Sequence, residues 1–201
     1  MSNSLNNFFG YIRPNDQVGV RNHLLVLSST GLTGPTGRRI ANALPGSIFV
    51  SMPYDGGLLG EDREAQIRTL VGLGLNPNIG GVLIIGGNPP KVAQLAEDMS
   101  KSGKPIEALT LDECGHDAIT LTETGIRVGA KLMIEISKLR RQSCSLSSLF
   151  LGLECGRSDS SSGLVSNPML GLMADHIVDI GGKAVFGETT EWLGAEHLLA
   201  K

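Results

Sequence analysis

The chain has 201 residues, a formal net charge of −3 and a hydrophobic fraction of 41%. This length accommodates one ordinary domain, or one domain and part of a second. The charge gives no electrostatic reason to expect binding to nucleic acid or to an anionic membrane. No run of about 18 apolar residues occurs, so we expect no membrane-spanning segment. The first residues lack the pattern of a signal peptide, and three unevenly spaced cysteines form no disulfide framework, which indicates a cytoplasmic protein.

The first half of the chain alternates between apolar runs of strand length and segments with helical spacing. The apolar runs are residues 24–27, 47–52, 82–85 and 106–111. Continuous apolar runs are typical of strands buried in a parallel sheet. The short connections between strands and helices favour right-handed crossovers. The pattern therefore predicts an α/β domain with three layers and a Rossmann-like parallel sheet.

The segments that flank this alternation set the predicted domain limits. Residues 10–22 are expected to form an arm, and a long helical region is expected to run to about Arg141 with an interruption at Gly125. Residues 142–148 have the polar composition of a linker, which places a boundary near Ser145. The prediction is thus a Rossmann-like domain over residues 1–145 and the beginning of a second α/β unit over residues 146–201.

The turn after the first predicted strand combines Ser, Thr and Gly residues at positions 28–37. Unpaired N–H groups at the start of a helix attract anions, so this turn indicates a site for a carboxylate. The spacing fits neither the dinucleotide fingerprint nor a Walker loop. A nucleotide site is therefore not predicted.

The densest group of reactive side chains follows the apolar run at residues 149–153, which predicts a short buried strand. Residues 154–159 read E-C-G-R-S-D, and Asn167 before Pro168 predicts a helix with Asn167 as its N-cap. Ligands of α/β folds bind in loops of this kind, beyond the carboxyl end of a strand. An acid, a thiol and a guanidinium suit a small anion or a metal. Loops of this composition also commonly serve only as connections.

The string G-L-E-C-G-R-S-D-S-S-S-G-L-V-S-N-P-M-L-G, residues 152–171, resembles the signature segment of the altronate/galactarate dehydratase family. Residues 10–22, 76–83 and 188–197 are also similar to that family, so the likeness spans almost the whole chain. The resemblance implies a hydro-lyase that removes water from a sugar acid, or a relative that removes sulfite from sulfolactate. It also implies a divalent metal, iron(II) in particular, and a partner, which is a second subunit or a missing C-terminal half. A homo-oligomer is an open alternative.

Three loops depart from the family's pattern. Relatives commonly carry Cys, His with Cys, and Gly-Cys-Glu where this chain has residues 30–33, 54–57 and 87–89. Thiol and imidazole, the expected ligands of iron(II) or zinc, are thus missing from these loops. The sequence therefore predicts weak or no metal binding by this chain alone. It also leaves open a non-catalytic or degenerate partner subunit that binds a small acid.

Elimination from a hydroxy acid requires a base, an acid for the leaving group and positive charge near the developing enediolate. The catalytic candidates are Asp159, His116 and Cys155. The predicted substrate-binding residues offer guanidinium, hydroxyl or amide groups: Arg21, Asn22, Arg157, Ser158, Ser162 and Asn167. If a metal is bound, Cys155 is the expected ligand because its thiolate lies at the end of a strand, with an oxygen ligand from Glu154, Asp159 or Glu188.

Several candidates have a purely structural alternative. Cys155 can be a small buried hydrophobe, which is the commonest role of an unpaired cysteine. His116 can help to cap a helix, and Arg21 and Arg157 can form surface ion pairs. His176 lies on the apolar side of its predicted helix and is expected to be a core histidine.

Overall fold

The computed structural model describes residues 6–53, 56–188 and 192–200. The chain forms two compact units. The first unit comprises residues 9–142, and the second comprises residues 143–201 together with the beginning of the chain. Among the described residues, no helix combines the length and the apolar character that crossing a bilayer requires.

The first unit is an α/β domain built on a four-stranded parallel sheet. Its elements in chain order are β1 (Asn7–Ile12), β2 (Val18–Gly19), β3 (His23–Ser28), α1 (Gly34–Ala43), β4 (Ile48–Ser51), α2 (Gly60–Leu75), β5 (Ile79–Gly86), α3 (Pro89–Ser100), β6 (Ile106–Thr110) and α4 (Ala118–Ile136). The sheet order is β4-β3-β5-β6, and every pair is parallel. The predicted Rossmann-like α/β class is confirmed.

Helices cover both faces of this sheet. Successive strand residues point to opposite faces, so Leu24 and Leu83 pack with α1 and α4, whereas Leu25 and Val82 pack with α2 and α3. All eight residues of β5 are buried. Burial on both faces explains why the strands are continuously apolar in sequence.

The expected arm at residues 10–22 contains the antiparallel pair β1–β2, with Tyr11 opposite Gly19 and a turn in which Asp16 N donates to Arg13 O at 2.9 Å. The predicted interruption of the long helix is wrong, because α4 passes through Gly125. A Cβ atom at Gly125 would overlap Ile40 Cδ1 of α1, so this glycine permits close helix packing and does not break the helix.

The buried Arg13 ties the amino ends of the strands together. It donates hydrogen bonds from Nε to Pro77 O at 2.7 Å, from Nη1 to Asn22 Oδ1 at 2.9 Å and from Nη2 to Arg21 O at 2.9 Å. The amide of Asn22 in turn donates to Ile136 O at 2.8 Å. Burial lowers the pKa of Arg13. This guanidinium thus fastens the β1–β2 pair to the turn that precedes β5.

A second buried cation, Lys104, binds the same turn from the other side. Its Nζ donates to Gly74 O at 3.0 Å and to Asn76 O at 2.7 Å. Asn78 Oδ1 accepts from the main-chain N–H groups of Val20 and Arg21, at 2.8 and 3.0 Å. The residues around positions 76–78 are therefore bound by side chains and main chain from three parts of the first unit.

The stability of the first unit is expected to depend on pH through Lys104. Burial, and secondarily the charge of Arg13, lowers the pKa of Lys104 from 10.5 to about 8. Between these two values the unfolded chain binds more protons than the folded chain, so the free energy of unfolding rises with pH. The neutral amine of Lys104 still has two N–H groups, so deprotonation lets it keep the hydrogen bonds to both carbonyl acceptors.

Urea denaturation of the wild type and of Lys104→Met at intervals from pH 7.5 to pH 10.5 measures this effect. The difference in unfolding free energy, wild type minus variant, is expected to increase across that range. A difference that stays constant with pH would contradict the lowered pKa.

The second unit contains one strand-helix-strand motif. Its elements are β7 (Gln142–Ser145), β8 (Phe150–Leu153), α5 (Asn167–Asp179), β9 (Lys183–Phe186) and α6 (Glu196–Leu199). Strands β8 and β9 are parallel. Residues 142–148, predicted as a linker, contain β7 and a 3₁₀ turn, and the first unit ends at residue 142. Asn7 Nδ2 donates to Ser143 Oγ at 3.3 Å and Leu146 N donates to Asn6 O at 2.9 Å, so this segment is held by the beginning of the chain.

Apolar side chains of the second unit remain exposed in the described structure. Phe150 is 63% exposed, so β8 is not the buried strand that its sequence predicts. Helix α5 buries only Ile177, and Leu172 is 72% exposed. His176 is exposed, and its prediction as a core histidine is wrong. Two strands and one helix have too little surface to bury all of these side chains.

Candidate functional site

The strand order of the first unit reverses between β3 and β5, and the loops at the carboxyl ends of these two strands lead away from each other. Strand β3 is paired with β4 on one side and with β5 on the other, so successive crossovers diverge between them. In open α/β sheets, ligands bind in the crevice beyond the strands at such a point. Ser28 ends β3 and Gly86 ends β5.

The loop after β3 uses the hydroxyl groups of Ser28, Thr30 and Thr33 internally, whereas the buried Ser29 Oγ has no hydrogen-bond partner among the described residues. Ser28 Oγ donates to Thr30 O at 2.7 Å and is hydrogen-bonded to Thr33 Oγ1 at 2.8 Å. Thr30 Oγ1 accepts from Leu32 N at 3.3 Å. All three hydroxyl side chains are buried. These three hydroxyl groups therefore stabilise the loop, and the carboxylate site expected at residues 28–37 stays a prediction.

A cleft of ≈ 400 Å³ opens beside these strand ends, between α2 and α3. Its polar lining residues are Arg63, Gln66, Asn88, Lys91 and Gln94. Among the described lining residues, both charged side chains are cations. The described lining therefore combines two cations with carboxamides, which donate and accept hydrogen bonds.

His116 lies in the loop between β6 and α4, near the carboxyl edge of the same sheet. Its side chain is 74% exposed, and its Nδ1 atom lies 3.5 Å from Asp112 Oδ1. The N-cap of α4 is Asp117, whose carboxylate accepts from the main-chain N–H groups of Ile119 and Thr120 at 3.1 and 2.9 Å. His116 thus precedes the cap, and its ring is accessible.

Arg21 and Asn22 lie at the opposite, amino edge of the sheet, directly before β3. The side chain of Asn22 is engaged by Arg13 and by Ile136 O. Arg21 Nη1 donates to Val20 O at 3.2 Å. The structure of the first unit therefore does not bring these two predicted substrate-binding residues to the carboxyl edge.

The remaining candidates belong to the second unit, where they follow β8 in an exposed loop. Asp159 Oδ1 accepts from Ser161 N at 2.8 Å, Ser161 Oγ at 2.6 Å and Ser162 N at 3.1 Å. Hydrogen bonds from Ser161 and Ser162 lower the pKa of Asp159. Ser162 Oγ also donates to Arg157 O at 2.9 Å. In this unit Asp159 therefore acts as an ionised cap at the start of a helix.

That helix begins before Asn167. Residues 160–179 form one helical run with a π-helical turn at Ser162–Ser166. Asn167 has helical dihedral angles, φ −66° and ψ −45°, so its prediction as the N-cap is wrong. Asn167 and Ser158 are exposed. π-Helical turns are frequently found at functional sites.

The metal implied by the family resemblance does not fit the described donor set. Cys155 is exposed, whereas Cys114 and Cys144 are buried, and burial raises the pKa of the Cys114 thiol. Glu188 follows β9 and Cys155 follows β8. Within residues 6–53, 56–188 and 192–200, no three His, Cys, Asp or Glu side chains cluster to hold an ion. No step of the chemistry below therefore depends on a metal.

The parallel sheet, its diverging crossovers and the cationic cleft define an α/β protein with a crevice suited to a small ligand. The sequence matches the family described as D-galactarate dehydratase/Altronate hydrolase, second domain, over residues 10–137. Residues 146–201 match the family described as D-galactarate/Altronate dehydratase, C-terminal. The chain belongs to the galactarate/altronate dehydratase family, which confirms the resemblance.

Individual relatives carry the names of lyases. The chain is 34% identical to (2R)-sulfolactate sulfo-lyase subunit beta of Chromohalobacter salexigens, over 96% of this chain and 49% of the relative. It is 33% identical to altronate dehydratase of Escherichia coli, over 94% of this chain and 40% of the relative. It is 27% identical to altronate dehydratase of Bacillus subtilis, over 98% of this chain and 42% of the relative. The chain thus spans about half the length, or less, of these relatives.

Proposed function

We propose that this chain forms part of a hydro-lyase that removes water from a hydroxy-acid or sugar-acid anion. The observation that carries the proposal is the family match over both segments, residues 10–137 and 146–201. Because the relatives are longer, the active enzyme is proposed to include a further half or a second subunit. A cytoplasmic location is part of the proposal, and three unevenly spaced cysteines without a disulfide framework support it.

The reaction breaks the C–H bond beside the carboxylate, and its electron pair forms a carbon–carbon double bond. The β-hydroxyl leaves as water after it is protonated, and the resulting enol becomes a 2-oxo acid. A base, an acid and positive charge near the carboxylate are required. Asp159, His116 and Cys155 stay the proposed proton carriers. Their accessibility supports this role, because a substrate must reach them.

The sulfo-lyase reaction is the second candidate. The relative named as a sulfo-lyase is itself a subunit, and the match covers 96% of this chain. In this alternative the same proton abstraction is followed by loss of sulfite. A non-catalytic partner subunit that binds a small acid is the third candidate, because thiol and imidazole side chains are missing from the loops at residues 30–33, 54–57 and 87–89.

An assay in trans tests the proposal. The purified chain is incubated with altronate, galactarate or sulfolactate, with and without iron(II), both alone and with the part of E. coli altronate dehydratase that lies beyond its match to this chain. We expect 2-oxo acid to form only when both parts are present. Sulfite release from sulfolactate would favour the second candidate. An acid that stabilises the chain without any turnover would contradict the hydro-lyase and favour the non-catalytic subunit.

A further inference from the structure

We propose that the cleft between α2 and α3 binds the carboxylate of a polyhydroxylated acid, with Arg63 as its principal anion-binding residue. The inference rests on the proposed function, since it specifies where the first unit holds the substrate acid. Each of the two helices contributes a cation and, three residues later, a glutamine: Arg63 with Gln66 on α2, and Lys91 with Gln94 on α3. Side chains three residues apart share one face of a helix. The two cation–glutamine pairs thus face one cavity.

Arg63 is exposed and, within the described part of the chain, makes no hydrogen bond or ion pair. Two other exposed arginines of the first unit pair with acids on their own helix: Arg68 lies 3.6 Å from Glu64, and Arg127 lies 2.9 Å from Glu123. A guanidinium presents two parallel N–H groups that match the two oxygens of a carboxylate. Arg63 therefore offers this cleft a bidentate site for an acid.

Lys91 supplies a second positive charge in a fixed position. Its Nζ donates to Ser29 O at 3.3 Å, at the end of β3, and to Gln66 Oε1 at 3.0 Å. Gln66 is buried. The ammonium group is thus held in place before any ligand arrives.

The start of α3 favours a hydroxy acid over a phosphate. Phosphate sites at helix termini use unpaired main-chain N–H groups. Here Pro89 and Pro90, which have no N–H group, occupy the first two helical positions, and Lys91 N donates to Asn88 Oδ1 at 3.3 Å. Recognition therefore depends on side chains.

The carboxamides of the cleft match hydroxyl groups, because both kinds of group donate and accept hydrogen bonds, whereas phosphate oxygens mainly accept. Gln66, Asn88 and Gln94 supply these carboxamides. The cleft volume of ≈ 400 Å³ also lies in the range of small-molecule sites, about 300–1,000 Å³. The combination of carboxylate-binding and hydroxyl-binding groups is the chemistry that a sugar acid requires.

Isothermal titration calorimetry on the full chain tests the inference with three probes: galactarate, galactitol and inorganic phosphate. Galactitol has the same carbon chain without carboxylates. The wild type is expected to bind galactarate and to bind galactitol and phosphate at least tenfold more weakly. Arg63→Gln is expected to weaken galactarate binding by about tenfold or more, because a charge-assisted pair is lost. Arg68→Gln, on the same helix but paired with Glu64, is the matched control and should bind as the wild type does.

Three results would overturn the inference: no galactarate binding by the wild type, equal binding by Arg63→Gln, or tighter binding of phosphate than of galactarate. The readout is binding, so it is separable from the hydro-lyase proposal. Galactarate binding through Arg63 without turnover in the assay in trans would contradict only the proposed hydro-lyase function. Turnover that Arg63→Gln leaves unchanged would contradict only the proposed role of the cleft in binding the acid.

Discussion

Replacing Arg13 with Met is expected to lower the free energy of unfolding by about 3 kcal/mol. The three hydrogen bonds of its guanidinium reach Pro77 O, Arg21 O and Asn22 Oδ1. Met fills a similar space but has no donor, so these acceptors lose their partner inside the fold. Urea denaturation followed by far-UV circular dichroism measures the change.

Arg141→Met is the matched control for this substitution. Arg141 is exposed, donates to Phe9 O at 3.1 Å and Val20 O at 3.0 Å, and its guanidinium lies 5.2 Å from the centre of the Tyr11 ring. Arg13 lies 5.6 Å from the same ring. Water can replace the exposed donor, so a loss below about 1 kcal/mol is expected for Arg141→Met. Equal losses for both variants would contradict the role assigned to Arg13.

Replacing Gly129 with Leu is expected to destabilise the first unit by about 2 kcal/mol or more, because overpacking strains a core. A Cβ atom at Gly129 would overlap Leu44 Cδ1 and lie 3.6 Å from Leu24 and Leu83 side-chain atoms. Helix α1 would have to move away from α4. Thermal and urea denaturation of the variant measure the loss.

Replacing Gly72 with Leu is expected to change the free energy of unfolding in the opposite direction. Gly72 lies in α2, is exposed, and has open space where a Cβ atom would stand. Leu has a higher helix propensity than Gly, so Gly72→Leu is expected to stabilise by about 0.5 kcal/mol. Destabilisation by both variants would show that helix packing at Gly129 is not the cause.

The sequence predicted the elements whose apolar pattern is set by local burial. Strands β3 and β5 are buried on both faces, so their residues form continuous apolar runs. The β1–β2 pair carries no such pattern. It is fastened by Arg13 to Pro77 O, 64 residues away, and no local pattern predicts that contact. Strand β7 is polar and mostly exposed, and its hydrogen bonds to the beginning of the chain are likewise not predicted by a local pattern.

The candidate site was only partly accessible to sequence reasoning. Sequence reasoning pointed to the loops directly after the strands. In the loop after β3, Ser28 and Thr33 form hydrogen bonds within the loop, whereas the buried Ser29 Oγ has no partner among the described residues. The cleft residues Arg63 and Lys91 lie inside helices, beyond those loops. The signal that finds them is the repeated spacing of a cation and a glutamine three residues apart. The catalytic roles of Asp159, His116 and Cys155 stay predictions.

Mapping of galactarate binding by nuclear magnetic resonance tests the central claim most directly, namely that the carboxyl edge of the first unit receives the acid. Backbone amide shifts of the ¹⁵N-labelled chain are followed during titration with galactarate. We predict that the largest changes occur at residues 56–58, 63–67 and 88–94, which surround the cleft. Changes confined to residues 154–162 of the second unit, or to residues 13–22 at the amino edge, would contradict the account.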